Sequence, residues 1–584
     1  MQDIRRIGGR WGIALAACLV WATAAFAAPA EASQAKASQA EAPAAAAPAE
    51  DGAQAERYLA AVRRFADTVL ERGRDRFGQE RTPLFVDGLH AETLEPAVWL
   101  KDGQTWVLSN FASQQPLVRL LDGLAAVTGE PRYRREAEAT TRFVLERLQA
   151  ANGLLYWGGH AAWDLEGDRP VGQYGSGVHE VKSHRPYYRL MWRVDAARTA
   201  RLMQAVWAAH IVDWARLDYN RHGSLKSNLP AGWDHPFQED IEVPFPAKGG
   251  NLSFVNVTPT LLHSSAMAAV LGDDAGALEW SRRLVRRWQQ GRDPKTGLCG
   301  GQLSYRAQDR AQEALGHVHP AINEARIVAS YHQTCRYHTL PLAQMQDGLA
   351  LKEAGGARAE AGEAMIRGAA EDLLIYARQC YDRASVRFIA KMTDGTPLRW
   401  QQAKTGYYIP EAFAPCPPDG FLLWGYALAY RLTGDAAQWS VVRDLANGMG
   451  LGDLGEPGGA GRAPDLNTRA DDWRLLYVLL ELDRAEKDPR LRALACCIAD
   501  NILKRQTASG LFPRPGKAYA RTGDEAPLAL LHLAAALEGR EDAMPAPAYD
   551  SRFFHCEYHG QLEKDQTKRG DARTYDNLVY YGGP

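Results

Sequence analysis

Residues 157–184, WGGHAAWDLEGDRPVGQYGSGVHEVKSH, gather His160, His179, His184 and Glu180 in a stretch too rich in glycine to form a helix. Glu180 lies twenty residues after His160, and Arg221-His222 begins forty-one residues after Glu180, within HIVDWARLDYNRHGSL (210–225), at the end of a predicted helix. Two imidazoles and one carboxylate, His160, His222 and Glu180, brought together from separate loops make a three-ligand site with positions left open. Such a set suits a divalent transition ion, manganese first and cobalt or nickel after it, better than calcium, which prefers all-oxygen ligands. The open positions are then available to a substrate carboxylate. A single loop histidine is more often a capping or hydrogen-bonding residue than a ligand, so the weight rests on the combination. His179 lies close enough to compete with His160 as the first ligand. His179-Glu180 with His184 has only a superficial likeness to a zinc-protease helix, because the second histidine falls at i+5, off the face that HExxH needs.

The elements that must position these residues read as helices. Apolar residues recur at helical spacing in AERYLAAVRRFADTVLERG (55–73), QPLVRLLDGLAAVTG (115–129), RYRREAEATTRFVLERL (132–148), RTARLMQAVWAAHIVDWARL (198–217) and LALLHLAAALEG (528–539). Turns such as TGEPRY (128–133), TGDAAQ (433–438) and EKDPRL (486–491) open helices, and NGLLYW (152–157), TGLCGG (296–301) and SGLFPR (509–514) follow three of them. One helical hairpin cannot bury its own apolar face, so the repeat predicts an all-α fold, an α/α toroid or barrel with a loop-built active site at one end; an open helical solenoid is the alternative. Of the sixteen tryptophans most are expected in the core, while the loop rings Trp157, Trp163 and Trp233 are candidates for stacking on sugars. Lys182 and Arg185, with Arg189 and Arg193 after them, form a basic strip beside the loop and are candidates for binding an acidic substrate.

The order of His, then Glu, then adjacent Arg-His at these spacings, with TPLFVDG (82–88) and DGFLLWGYALAYRLTG (419–434), resembles polysaccharide lyase family 2, the pectate lyases with an (α/α)7 barrel. The resemblance spans most of the chain. It implies that His160, Glu180 and His222 hold the metal and that Arg221 is the catalytic Brønsted base. The chemistery of the residues agrees: β-elimination from a 4-linked uronate removes the weakly acidic C5 proton, and a cation on the C6 carboxylate favours its loss. An arginine has the basicity that a weak carbon acid requires if the site supplies its neutral form; its other possible role is a bidentate clamp on a uronate carboxylate. Two further readings stand beside the lyase: a glycoside hydrolase on the same barrel, with carboxylates such as Asp164, Asp234 and Glu324 as acid and base, and a non-catalytic periplasmic glycan-binding protein.

The chain has 584 residues and a formal net charge of -2, without the basic excess expected of a nucleic-acid partner. Arg5, Arg6 and Arg10, the apolar run 12–26 and Ala25-Phe26-Ala27 predict a secretory signal peptide over 1–27; the arginine pair also raises the twin-arginine route. A periplasmic or secreted protein follows, with no membrane span. Residues 28–54, rich in Ala, Pro and Glu, are expected to be a disordered linker, 55–545 the catalytic barrel and 546–584 an aromatic-rich extension packed on it. Of the eight cysteines, the seven beyond Cys18 are scattered without a CxxC pair, so the core must carry the fold.

Overall fold

The computed structural model describes residues 48–547, apart from 102–103, 173–176, 182–184, 231, 249–251, 307–315, 331–334 and 400–412, together with 573–575 and 578–580. The expected signal peptide, most of the expected linker, Lys182, His184, Cys556 and nearly all of the C-terminal extension lie outside the described residues.

Among the described residues stand fourteen α-helices: α1 (Pro48–Arg72), α2 (Gln115–Thr128), α3 (Pro131–Arg147), α4 (Tyr188–Val194), α5 (Ala196–His210), α6 (Thr258–Gly272), α7 (Ala275–Gln290), α8 (Arg336–Glu353), α9 (Ala357–Cys380), α10 (Gly420–Thr433), α11 (Ala436–Gly448), α12 (Arg474–Glu486), α13 (Pro489–Leu503) and α14 (Glu525–Leu537). The even-numbered helices pack in a ring: α4 on α6, then α6 on α8, α8 on α10, α10 on α12, α12 on α14 and α14 on α2. Asp122 of α2 closes the remaining gap, accepting hydrogen bonds from Tyr187, just before α4, and from Arg193 on α4. The odd-numbered helices form the outer layer. The first of them, α1, packs on the last inner helix, α14, and so joins the two ends of the chain. The result is an (α/α)7 toroid.

Sequence explains which helices go inside. Helices α10 (GFLLWGYALAYRLT) and α14 (EAPLALLHLAAAL) are buried on nearly every side, whereas α7 (AGALEWSRRLVRRWQQ) alternates buried Leu278, Leu284 and Trp288 with a charged outer face. The polar side chains that the inner helices do carry meet one another. Asp347 of α8 accepts from Arg185 at 2.6 Å and pairs with His263 of α6 at 2.7 Å, while Arg119 of α2 donates to the Arg185 carbonyl at 2.7 Å. Tyr477 of α12 lies against Trp424 of α10 and His532 of α14, with ring centroids 4.6 and 5.2 Å apart.

Connections sort by length. Inner helices lead to outer ones through turns of one to three residues, such as 129–130, 195, 273–274 and 434–435, whereas outer helices return to inner ones through long segments: 73–114, 148–187, 211–257, 291–335, 381–419, 449–473 and 504–524. The short turns use capping chemistry. Asp195, Asp274, Asp435 and Asp488 each accept a hydrogen bond from a backbone N–H of the helix that follows, and Gly129 and Gly434 take left-handed conformations at helix ends. Every long segment therefore lies at one end of the toroid, where a site can be built without disturbing the barrel.

Two helix boundaries differ from expectation. Helix α1 begins at Pro48 instead of residue 55, so it takes in the last residues of the segment expected as linker. The run 198–217 is helical only to His210: Ile211, with φ -78 and ψ 121, turns the chain into a hairpin, and β-branched Ile211 and Val212 suit that change. Of the C-terminal extension, two strands that pair antiparallel, Arg573–Tyr575 and Leu578–Tyr580, are described. The six described cysteines are free thiols.

Candidate active site

The long segments after α3 and α5 build the site from short strands. In the first lie β2 (Ala162–Asp164) and β3 (Arg169–Val171), which form a sheet with β1 (Leu108–Ser109), followed by β4 (Val178–Glu180). The second holds the hairpin β5 (Ile211–Asp213) with β6 (Asp218–Tyr219), then β7 (His222–Ser224). Strands β4 and β7 pair antiparallel, with His222 opposite Glu180 and Gly223 opposite His179. Val181 N–H donates to the Arg221 carbonyl at 3.0 Å and extends the ladder. Glu180 and His222 thus stand on strands, not on the loop and helix end expected. Because side chains alternate along a strand, Glu180 and His222 share one face of the ribbon and His179 takes the other.

His160 reaches that face through Gly158, which bridges to Glu180 in parallel sense. At Gly158 φ is +100°, and a Cβ there would come within 2.6 Å of the Glu180 carbonyl oxygen, so only glycine allows this approach. Asn110 holds the turn with two hydrogen bonds: its Nδ2 donates to the Gly158 carbonyl at 2.9 Å, and its Oδ1 accepts from Gly158 N–H at 3.1 Å.

On the shared face His160 Nε2 lies 3.1 Å from His222 Nε2, and the two rings' nitrogens lie 3.5 and 3.4 Å from the Glu180 carboxylate. One ligand atom from each of the three residues falls within 4.8 Å of the others, the one grouping of its kind among the described residues. Arg221 adjoins it: its Nε donates to His222 Nε2 at 3.2 Å and lies 3.4 Å from Glu180 Oε1. His160 and Glu180 are buried, while Arg221 and His222 keep 22% and 35% of their side chains exposed, so the cluster is reached from the side that bears the arginine. Two imidazole nitrogens and a buried carboxylate oxygen, all Lewis bases aimed at one point, fit a divalent transition ion held by His160, Glu180 and His222.

His179 does not join this set. Its Nε2 faces the Trp157 indole N–H at 3.0 Å and its Nδ1 faces His210 Nε2 at 2.8 Å, so both ring nitrogens are engaged on the back of the ribbon. The residues expected to meet substrate divide. Trp163 is buried on β2 within the core, whereas Trp233 is half-buried, donates its N–H to Asp274 at 2.7 Å and packs edge-on against Trp207. Arg185 is 4% exposed and ion-paired with Asp347, which makes it part of the barrel interior instead of a surface cation. Arg193 pairs with Asp122 and Glu138. Among the hydrolase candidates, Asp164 is buried and accepts from Glu166 N–H within the β2–β3 turn, Glu324 is buried 3.4 Å from Arg306, and Asp234 is exposed. Asn110, His210 and Asn220 were not among the expected site residues, and Trp157 was expected as a sugar-stacking ring; the one available signal for the others was His210, polar at the end of an otherwise apolar helix face.

A family model described as periplasmic pectate lyase matches residues 82–557. A pectate disaccharide-lyase of Dickeya dadantii (strain 3937) is 28% identical over 534 residues, which cover 86% of this chain and 94% of that protein. Solved structures of similar fold include cellobiose 2-epimerase from Bacillus thermoamylovorans B4167, with TM-score 0.38 and 11% identity over 69% of this chain and 89% of that one. A family 76 glycoside hydrolase from a bovine Bacteroides thetaiotaomicron strain has TM-score 0.38 and 10% identity, covering 82% of this chain and 78% of its own.

Proposed function

This chain belongs to the periplasmic pectate lyase family and is a polysaccharide lyase, and on that premise we propose that it cleaves pectate or oligogalacturonides by metal-dependent β-elimination with Arg221 as the base. The observation that carries this reading is the placement of Arg221 against the convergent donors of His160, Glu180 and His222. His160, Glu180 and His222 would hold manganese, or cobalt or nickel in its place. When bound, such an ion supplies positive charge to the C6 carboxylate of the uronate and so acidifies the C5 proton. Arg221, partly exposed beside the cluster, takes that proton from C5 in its neutral form and becomes the guanidinium; the electron pair forms the C4–C5 double bond as the C4–O4 bond breaks, and O4 leaves with the other fragment and takes a proton from water. Glu180 Oε1 lies 3.4 Å from Arg221 Nε, a contact that holds the side chain of Arg221 beside the cluster.

The apolar N-terminal segment and the family's periplasmic description support export, and an acidic polysaccharide is the partner that the reaction requires. Among the described residues no helix is long and apolar enough to cross a membrane. The test is digestion of polygalacturonate with and without chelator. The expected result is an ultraviolet-absorbing 4,5-unsaturated product that disappears on chelation and returns with manganese, cobalt or nickel more fully than with calcium. New reducing ends without that absorbance would replace the lyase by a hydrolase, and full activity in excess chelator would remove the metal.

A further inference from the structure

Behind the ribbon runs a line of hydrogen bonds that touches every segment of the cluster. Trp157 Nε1 donates to His179 Nε2 at 3.0 Å, His179 Nδ1 meets His210 Nε2 at 2.8 Å, and His210 Nδ1 meets the Asn220 carbonyl oxygen at 2.7 Å. An indole N–H can only donate and a carbonyl can only accept, so one assignment satisfies all three contacts. Both imidazoles are neutral, each with its proton on Nδ1, and every bond points from Trp157 towards Asn220. His179 and His210 are wholly buried, which favours that neutral state.

The line ends where the cluster begins. Trp157 precedes Gly158, the residue that bridges to Glu180 and leads to His160. His179 precedes Glu180 on β4. Asn220 precedes Arg221, and its side-chain oxygen accepts from His222 N–H at 3.3 Å, while its own N–H donates to the His210 carbonyl at 2.9 Å. The ribbon is shaped for the second ring: a Cβ on Gly223, opposite His179, would come within 3.0 Å of His210 Nε2.

We infer that Trp157, His179 and His210 are positioning residues, a directional hydrogen-bond wire that sets the spacing of the three segments bearing His160, Glu180 and Arg221-His222. The inference rests on the metal-lyase reading above, and its experiment separates the two. The full chain, stripped with chelator, is titrated with Mn2+ by calorimetry and with Co2+ by visible absorption, and kcat and KM on oligogalacturonate are measured at saturating Mn2+. His210→Phe keeps a ring but loses both bonds; it is expected to bind Mn2+ ~10–100-fold more weakly and to shift the Co2+ band, the usual scale when a partner that orients a ligand is removed. At saturating Mn2+ its kcat should still fall, with KM within about twofold of the parent. His210→Gln, which carries one acceptor and one donor, should recover most of both losses. Trp157→Phe, which removes the indole N–H together with part of a buried ring but leaves the His179–His210 contact in place, should move the same quantities in the same direction by less. Parental Mn2+ affinity, Co2+ spectrum and kcat in both His210→Phe and Trp157→Phe would overturn the wire, and if His210→Phe does not fold, Trp157→Phe decides alone. A parent chain that binds no Mn2+ and works in chelator overturns the metal reading instead; the wire then stands or falls on kcat, with parental turnover in the variants ending it.

Discussion

Arg221 and Asp347 show how differently two charged residues can be used. Arg221 is partly exposed and shares its surroundings with Glu180 and His222, the arrangement of a group that must meet substrate. As the base, its replacement in Arg221→Lys should lower kcat by ~10²–10⁴-fold while Mn2+ content, measured first, and KM stay near parental values. A variant that keeps its Mn2+, binds oligogalacturonate weakly and turns over at the parental rate would make Arg221 a carboxylate clamp. Asp347 is fully buried and reacts with nothing. Burial by itself would raise its pKa, but Arg185 and His263 outweigh that and hold it below the usual carboxylate range. Asp347→Ala takes the carboxylate away from a buried arginine and should destabilise the fold by about 3–5 kcal/mol in denaturant unfolding. A loss below about 1 kcal/mol, the worth of a surface pair, would mean that this pair is solvated.

At the scale of the element, the β4–β7 ribbon does the work expected of two loops. Its register sets Glu180 beside His222, and a slip by one residue would present His179 instead, so register selects which side chains form the proposed ligand set. Gly158 couples His160, the third proposed ligand, to this ribbon at a positive φ that a side chain adopts only under strain. Gly158→Ala should therefore cost roughly 1–3 kcal/mol of stability, and the 2.6 Å approach to the Glu180 carbonyl should also push His160 away and weaken Mn2+ binding. Calorimetric titration of a folded Gly158→Ala chain with parental Mn2+ affinity would show that the close approach is not what brings His160 into place.

The whole molecule concentrates its long connections, and the N-terminal ends of its seven inner helices, at one end of the toroid; the helix dipoles there favour an anionic ligand. The interior beneath carries neutral histidines. Burial lowers the His532 pKa to about 3, helped by Arg484 and Arg119, and lowers that of His210 to about 4. Below the ordinary value near 6.5 the unfolded chain takes up these protons and the folded chain does not, so stability falls with pH from about 6.5 down through the folded values. His210 alone amounts to about 3 kcal/mol across that window. The melting temperature should drop steadily between pH 7 and pH 4.5, and His532→Phe, where it folds, should flatten the slope. A melting temperature independent of pH over that range would mean that water reaches these rings.

Helical periodicity, Gly and Asp at the turns, and the alternation of wholly apolar with amphipathic segments were enough to specify repeated helix pairs, because those signals are local and each helix carries its own; closure into a toroid instead of an open solenoid was decided by the packing of α14 on α2 and α1. The residue types and order of His160, Glu180 and Arg221-His222 were likewise legible, since ligand chemistry resides in the side chains. What the linear chain could not decide was pairing. Ile211 ends α5 only because a strand partner awaits it in β6, and the choice between His160 and His179 depends on which face of a ribbon each occupies, a property of register between segments forty residues apart. Trp163 and Arg185 stand beside polar loop residues in the sequence, yet the core and Asp347 claim them, because burial and ion pairing are settled by what the fold brings near and not by what the chain places beside them.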